Sequence, residues 1–174
     1  MRRFFFYLIL GIIFLTLQST LLASLHIQRI RPDLVLILTL YLGLFYSPVS
    51  GGILVFFLGF LMDLFSGNSF GLYTLSRPFI FYVAQFSRGR FYLESYRSQF
   101  LFVFILGLVE GLLIFFLLNV LNPFPSGHLY PLLVSFLLPQ SFLTGLITPF
   151  FFTLIHIGFF SLLGRHGMEV MERG

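Results

Sequence analysis

Residues 99 to 121, "QFLFVFILGLVEGLLIFFLLNVL", hold a single charge, Glu110, in an otherwise apolar run. About 20 such residues make a helix that crosses the ~30 Å hydrocarbon layer of a bilayer. Within lipid a backbone must satisfy its own N–H and C=O groups, which a helix does inside one segment. Similar runs fill most of the 174 residues, and the chain is 58% hydrophobic and 9% charged, against about 45–50% and about 25% in a soluble domain. The expected fold class is therefore an all-α integral membrane protein forming one polytopic domain over residues 1–174, with no room for a soluble domain. The absence of cysteine removes disulfides, thiol nucleophiles and thiolate metal sites together.

The apolar runs predict helices at about 4–25, 33–46, 49–65, 70–86, 99–121 and 139–163, with an interfacial segment at 129–138. The first run follows Arg2 and Arg3 and is longer than a signal-peptide core of about 7–15 residues, so it reads as a membrane helix. Residues 34 to 65 as one helix would measure about 48 Å, too long for one crossing, and are divided at Ser47-Pro48. Pro139 is expected to open the last helix in its first turn, where the missing N–H costs nothing.

Arginine placement arbitrates the count, because basic residues in short loops accumulate on the cytoplasmic side. Six helices with both termini inside leave Arg2, Arg3, Arg88, Arg90, Arg97, Arg165 and Arg173 in the cytoplasm and only Arg29 and Arg31 outside. Five helices would put seven of these arginines outside and two inside. The reading is six transmembrane helices with cytoplasmic N- and C-termini. The inner loop "SRGRFYLESYRS" also offers arginines to anionic membrane lipids at about 1 kcal/mol each. Its charges set orientation and form no basic face for nucleic acid.

The charges inside the apolar runs are the candidate structural and partner residues. Asp33 sits just before a helix and is expected to cap it near the outer surface. An exposed partner contact there is the alternative. Glu110 lies mid-run, where a charge costs roughly 2.5–3.5 kcal/mol. A hairpin about residues 92 and 93 places position 77 level with about 108 or 109, so Arg77 and Glu110 match in depth. A buried ion pair between the fourth and fifth helices is the simplest account of both; a proton or ion relay is the functional alternative. Gly107 and Gly111 form a small-xxx-small pattern that admits another helix backbone, from this chain or a partner. Asp63 precedes the turn "SGNS" near the outer end of the third helix and is expected to accept backbone N–H groups of that turn or of the next helix. Gly67 and Gly71 supply turn conformations, and Ser66, Asn68 or Ser69 can cap the fourth helix.

No catalytic constellation assembles. "GNSFG" fits G-x-S-x-G around Ser69, but an apolar helix precedes it where a nucleophile elbow needs a strand. His156 falls roughly 25 Å below the outer end of the last helix, out of reach of Ser69. No metal-ligand spacing and no phosphate loop appears, so no cofactor is expected.

The ordered motifs "RPDLVLILTLYLGL" and "SGGILVFFLGFLMDLFSGNSFGLYTL", followed by a basic inner loop, resemble the MreD family of bacterial rod-shape-determining proteins. The resemblance rests most on Arg31, Pro32, Asp33, Gly59, Asp63, Ser66, Gly67 and Gly71. It implies a non-enzymatic inner-membrane scaffold of the cell-elongation machinery (the elongasome), acting with MreC, MreB, RodA and a class B penicillin-binding protein in peptidoglycan synthesis. The alternative is a substrate-binding subunit of a vitamin-type transporter, with Gln18, Asn119, Asn122 and His128 lining an outward cavity.

Overall fold

A computed structural model describes residues 2–24, 32–66, 71–88, 95–121 and 129–163. These residues form six helices: α1 (Arg2–Ser24), α2 (Leu34–Phe45), α3 (Pro48–Ser66), α4 (Leu72–Phe86), α5 (Tyr96–Leu121) and α6 (Leu129–Leu163). Three are long and apolar enough to cross a membrane, over Pro48–Phe65, Tyr96–Val120 and Leu137–Gly158. Their outward faces are apolar; on α6, Leu138, Phe142, Leu146, Phe150 and Leu154 recur every fourth residue and stay exposed. Polar groups point the other way, with Thr39, Asp63, Ser76, Arg77, Glu110, Thr144 and Thr148 all buried. That inversion suits a bundle solvated by lipid, where ionisable side chains face the protein interior.

α2 is the hub. Its residues Leu34 to Leu44 are all buried, which is what a helix apolar all round requires. Twelve residues at 1.5 Å each give only about 18 Å. One end of α2 therefore stops well inside a bundle whose longer helices run about 39–52 Å. α2 and α4 point the same way: Asp33 at the start of α2 meets Arg77, while the Tyr46 carbonyl at its end accepts from Gln85 Nε2 at 3.3 Å and Arg88 Nη1 at 3.4 Å.

Glycines set the closest helix contacts. A Cβ on Gly59 would lie 2.5 Å from the Tyr73 carbonyl oxygen, so α3 and α4 touch backbone to backbone there. α5 and α6 run antiparallel with Gly107 against Ser141, Gly111 against Leu137 and Gly145 against Phe100. The helix that approaches the Gly107/Gly111 face thus belongs to this chain.

The starts of α4, α5 and α6 differ from expectation. Pro139 and Pro149 both lie inside α6, which runs unbroken from Leu129. The segment 129–138 is the first part of this helix, and Pro139 does not open it. Proline inside a helix removes one N–H and crowds the preceding turn, a defect that packed membrane helices tolerate. Threonine hydroxyls bond back along the following turns: Thr144, Thr148 and Thr153 donate to the carbonyls of Gln140, Thr144 and Pro149 at 2.7, 2.7 and 2.9 Å. α5 begins at Tyr96 instead of 99 and α4 at Leu72 instead of 70. The later start of α4 follows from the turn described next.

Candidate functional site

Asp63 builds the junction between α3 and α4. Gly71, the residue before α4, adopts φ +103°, which an L side chain rarely adopts, and it offers no side chain to cap the helix. The acceptor comes from α3 instead. The Asp63 carboxylate takes the N–H groups of Gly71, Tyr73 and Thr74 at 3.1, 2.9 and 2.8 Å. These are first-turn donors that lack a partner within the helix, and the negative charge also faces the positive end of the α4 dipole. Asp63 itself is buried, 2% exposed, although it lies near the end of α3. The N-cap position of α4 falls on Gly71 and not on Ser66; Gly67, Asn68 and Ser69 lie outside the described residues.

The centre of the bundle holds a three-charge cluster. Arg77 on α4 is completely buried, and its Nη1 donates to Glu110 Oε2 on α5 at 3.2 Å, the pairing expected from depth. Its Nη2 donates to Asp33 Oδ2 in a second ion pair. Asp33 does cap α2, its Oδ1 accepting from the Leu36 N–H at 2.8 Å. It is not at an outer surface, however: it is buried, level with Arg77 and Glu110. The reason is the short α2, whose first turn starts inside the bundle. One carboxylate thus answers two demands, the orphan N–H groups of a buried helix end and the charge of Arg77.

Other groups complete the cluster. Ser76 Oγ donates to Glu110 Oε1 at 3.4 Å, and Thr144 Oγ1 on α6 accepts the Asp33 N–H at 3.0 Å. The Tyr73 ring lies 5.6 Å from the Arg77 guanidinium carbon, within range of a cation–π contact. α2, α4, α5 and α6 are so joined at one level by charged and hydroxyl side chains. Ser76, Tyr73 and Thr144 were not singled out in the sequence, where nothing marks these common residues. The second partner of Arg77 had a signal, since a helix as short as α2 cannot keep both ends at membrane surfaces.

A cavity of about 170 Å³ adjoins the cluster, lined among others by Asp33, Tyr73, Glu110, Gln140, Ser141 and Thr144. Of the four residues considered for a ligand lining, Gln18 and Asn119 do not border it, and Asn122 and His128 lie outside the described residues. His156 lies near Tyr41 and Gln99 at the end of the bundle that carries Arg88 and Arg97. Among the described residues no group of three or more His, Cys, Asp or Glu could hold a metal ion.

Compared with known proteins, residues 1–163 match the family model for rod shape-determining protein MreD. No curated protein and no solved structure matches the chain.

Proposed function

The chain belongs to the MreD family of rod shape-determining proteins, and on that premise we propose that it is a non-enzymatic scaffold and regulator of the cell-elongation complex. In this reading it is a multi-pass protein of the bacterial inner membrane with six crossings and both termini in the cytoplasm. It organises peptidoglycan synthesis with MreC, and works alongside MreB, RodA and a class B penicillin-binding protein.

The observation that carries the reading is the family match over nearly the whole chain. The geometry supports it. A scaffold must present a fixed surface, and the Asp33–Arg77–Glu110 cluster fixes α2, α4 and α5 in one register while Thr144 ties α6 to the start of α2. Buried charge networks of this kind can specify one arrangement of helices among several of similar packing energy. Asp63 fixes the α3–α4 corner in the same way, from a backbone cap. Asp33, Asp63, Gly67, Gly71, Arg77, Gly107, Glu110 and Gly111 then act through the shape of the bundle, with no chemistry of their own.

Purification of the tagged chain from gently solubilised bacterial membranes tests the reading. MreC should be recovered with it. Recovery of an energising ATPase module, without MreC, would overturn the scaffold in favour of transport.

A further inference from the structure

We propose that the groove between the start of α5 and the middle of α6 binds an anionic phospholipid, with its headgroup at Arg97 and an acyl chain along Leu101 and Leu146. The groove encloses about 430 Å³ and is lined by Tyr96, Arg97, Phe100, Leu101, Leu146 and Pro149. A Cβ on Gly145 would lie 3.1 Å from both the ring and the carbonyl oxygen of Phe100, so the two helices meet there at close range. The antiparallel register that sets Gly145 against Phe100 carries Arg97 and Pro149 towards one end of the groove, with Leu101 and Leu146 nearer the bilayer centre.

Charge selects the occupant. Arg77 pairs with two carboxylates and Arg88 donates to the Tyr46 carbonyl, whereas Arg97 is exposed and makes no ion pair among the described residues. An arginine whose stem lies along apolar surface holds its guanidinium at the membrane interface, and its planar fork matches the oxygens of a phosphate. Tyr96, exposed beside it, brings a second donor to the same rim. Basic pockets between membrane helices bind anionic headgroups in this way.

The rest of the groove selects a lipid over a soluble anion. Leu101 and Leu146 are exposed, and beyond them Ile105 on α5 and Phe142 on α6 stay exposed along the same seam. A cationic rim that gives way to an apolar track has the polarity profile of a phospholipid, headgroup first and chain behind. Free phosphate would use the rim alone.

The chain contains no tryptophan, so one placed beside the groove reports on that site alone. Phe150→Trp, next to Pro149, is such a probe, and Val49→Trp near the start of α3 is the comparison; both positions are exposed. Each full-length variant is reconstituted in vesicles of phosphatidylcholine and phosphatidylglycerol with matched acyl chains, one lipid or the other brominated, and quenching gives their relative binding at the probe. Phosphatidylglycerol should be preferred about five-fold at position 150, the ratio implied by about 1 kcal/mol for one basic residue near the surface, and not at position 49. Arg97→Gln in the Phe150→Trp chain should remove the preference, and Arg88→Gln should leave it. Equal quenching by the two lipids at position 150, the same preference at position 49, or a preference that survives Arg97→Gln would overturn the proposal. So would displacement by inorganic phosphate beyond that by chloride of equal ionic strength, which would make the ligand a soluble anion. Absence of quenching by either lipid would also overturn it, because a second copy of the chain would then cover the groove. Both leaflets of the vesicles carry the same lipids, so the result does not depend on which end of the bundle is cytoplasmic.

Discussion

Replacing Arg77 by methionine removes the cation and keeps most of the side-chain volume, leaving Asp33 and Glu110 buried with nothing between them. Loss of one member of a buried ion pair costs about 3–5 kcal/mol, mostly as the penalty for the charge left behind. At about 1.4 kcal/mol per factor of ten, 3 kcal/mol is already more than a hundred-fold in the folding equilibrium, from a total stability of about 5–15 kcal/mol. Arg77→Met should therefore be poorly folded. The informative comparison is with the carboxylates. Asp33→Asn weakens the ion pair and the α2 cap together, whereas Glu110→Gln loses a 3.2 Å contact and keeps a group that can accept from Ser76. Asp33→Asn should thus cost more than Glu110→Gln. Arg77→Met combined with Glu110→Gln should lose less than the sum of the two single changes, with a coupling of about 0.5–3 kcal/mol.

The assay is reversible unfolding in mixed micelles, with folded yield by size-exclusion chromatography as an independent reading. Strictly additive losses, or Glu110→Gln costing more than Asp33→Asn, would refute the reasoning that Arg77 is shared between two carboxylates of which Asp33 does more.

Asp63→Ala should lower stability by about 1–3 kcal/mol, since three N–H groups lose their acceptor, and hydrogen exchange should show faster exchange at Tyr73 and Thr74. Gly59→Ala should be worse than Gly11→Ala, because the new methyl at 59 meets the Tyr73 backbone at 2.5 Å while that at 11 meets the movable Leu58 side chain at 2.4 Å. Unfolding midpoints of the two variants would rank them, the first losing about 1–3 kcal/mol. The chain has no cysteine, so single cysteines at positions 2 and 173 can be labelled cleanly; a membrane-impermeant maleimide should reach neither in intact spheroplasts and both after lysis.

Much of this architecture was legible because depth along a membrane helix is nearly proportional to residue number. Arg77 and Glu110 could be matched by counting from the loop between their helices, and Asp63 could be placed beside the turn that it caps. Counting failed where a helix did not run from surface to surface. Counting puts Asp33 at the outer boundary only if α2 begins there, and its place beside Arg77 follows from α2 being a short, fully buried element. The start of α6 escapes the sequence for another reason. Proline marks a first turn in water more reliably than in a packed bundle, where neighbouring side chains make up for the lost N–H. Thr144 is invisible as a cluster member because it lies on α6, and the sequence leaves open which helix packs against α5 at Gly107 and Gly111.

The central claim, that this chain serves rod-shape determination through the fixed geometry of its bundle, is tested most directly in a rod-shaped bacterium depleted of its own MreD. Cell length-to-width ratio under the microscope is the measurement, with the membrane level of each variant checked in parallel. The account predicts that the wild-type chain and a folded Ser69→Ala chain restore rods, and that Arg77→Met leaves cells round. Round cells with well-expressed wild-type protein, or rods with Arg77→Met at equal membrane level, would contradict it.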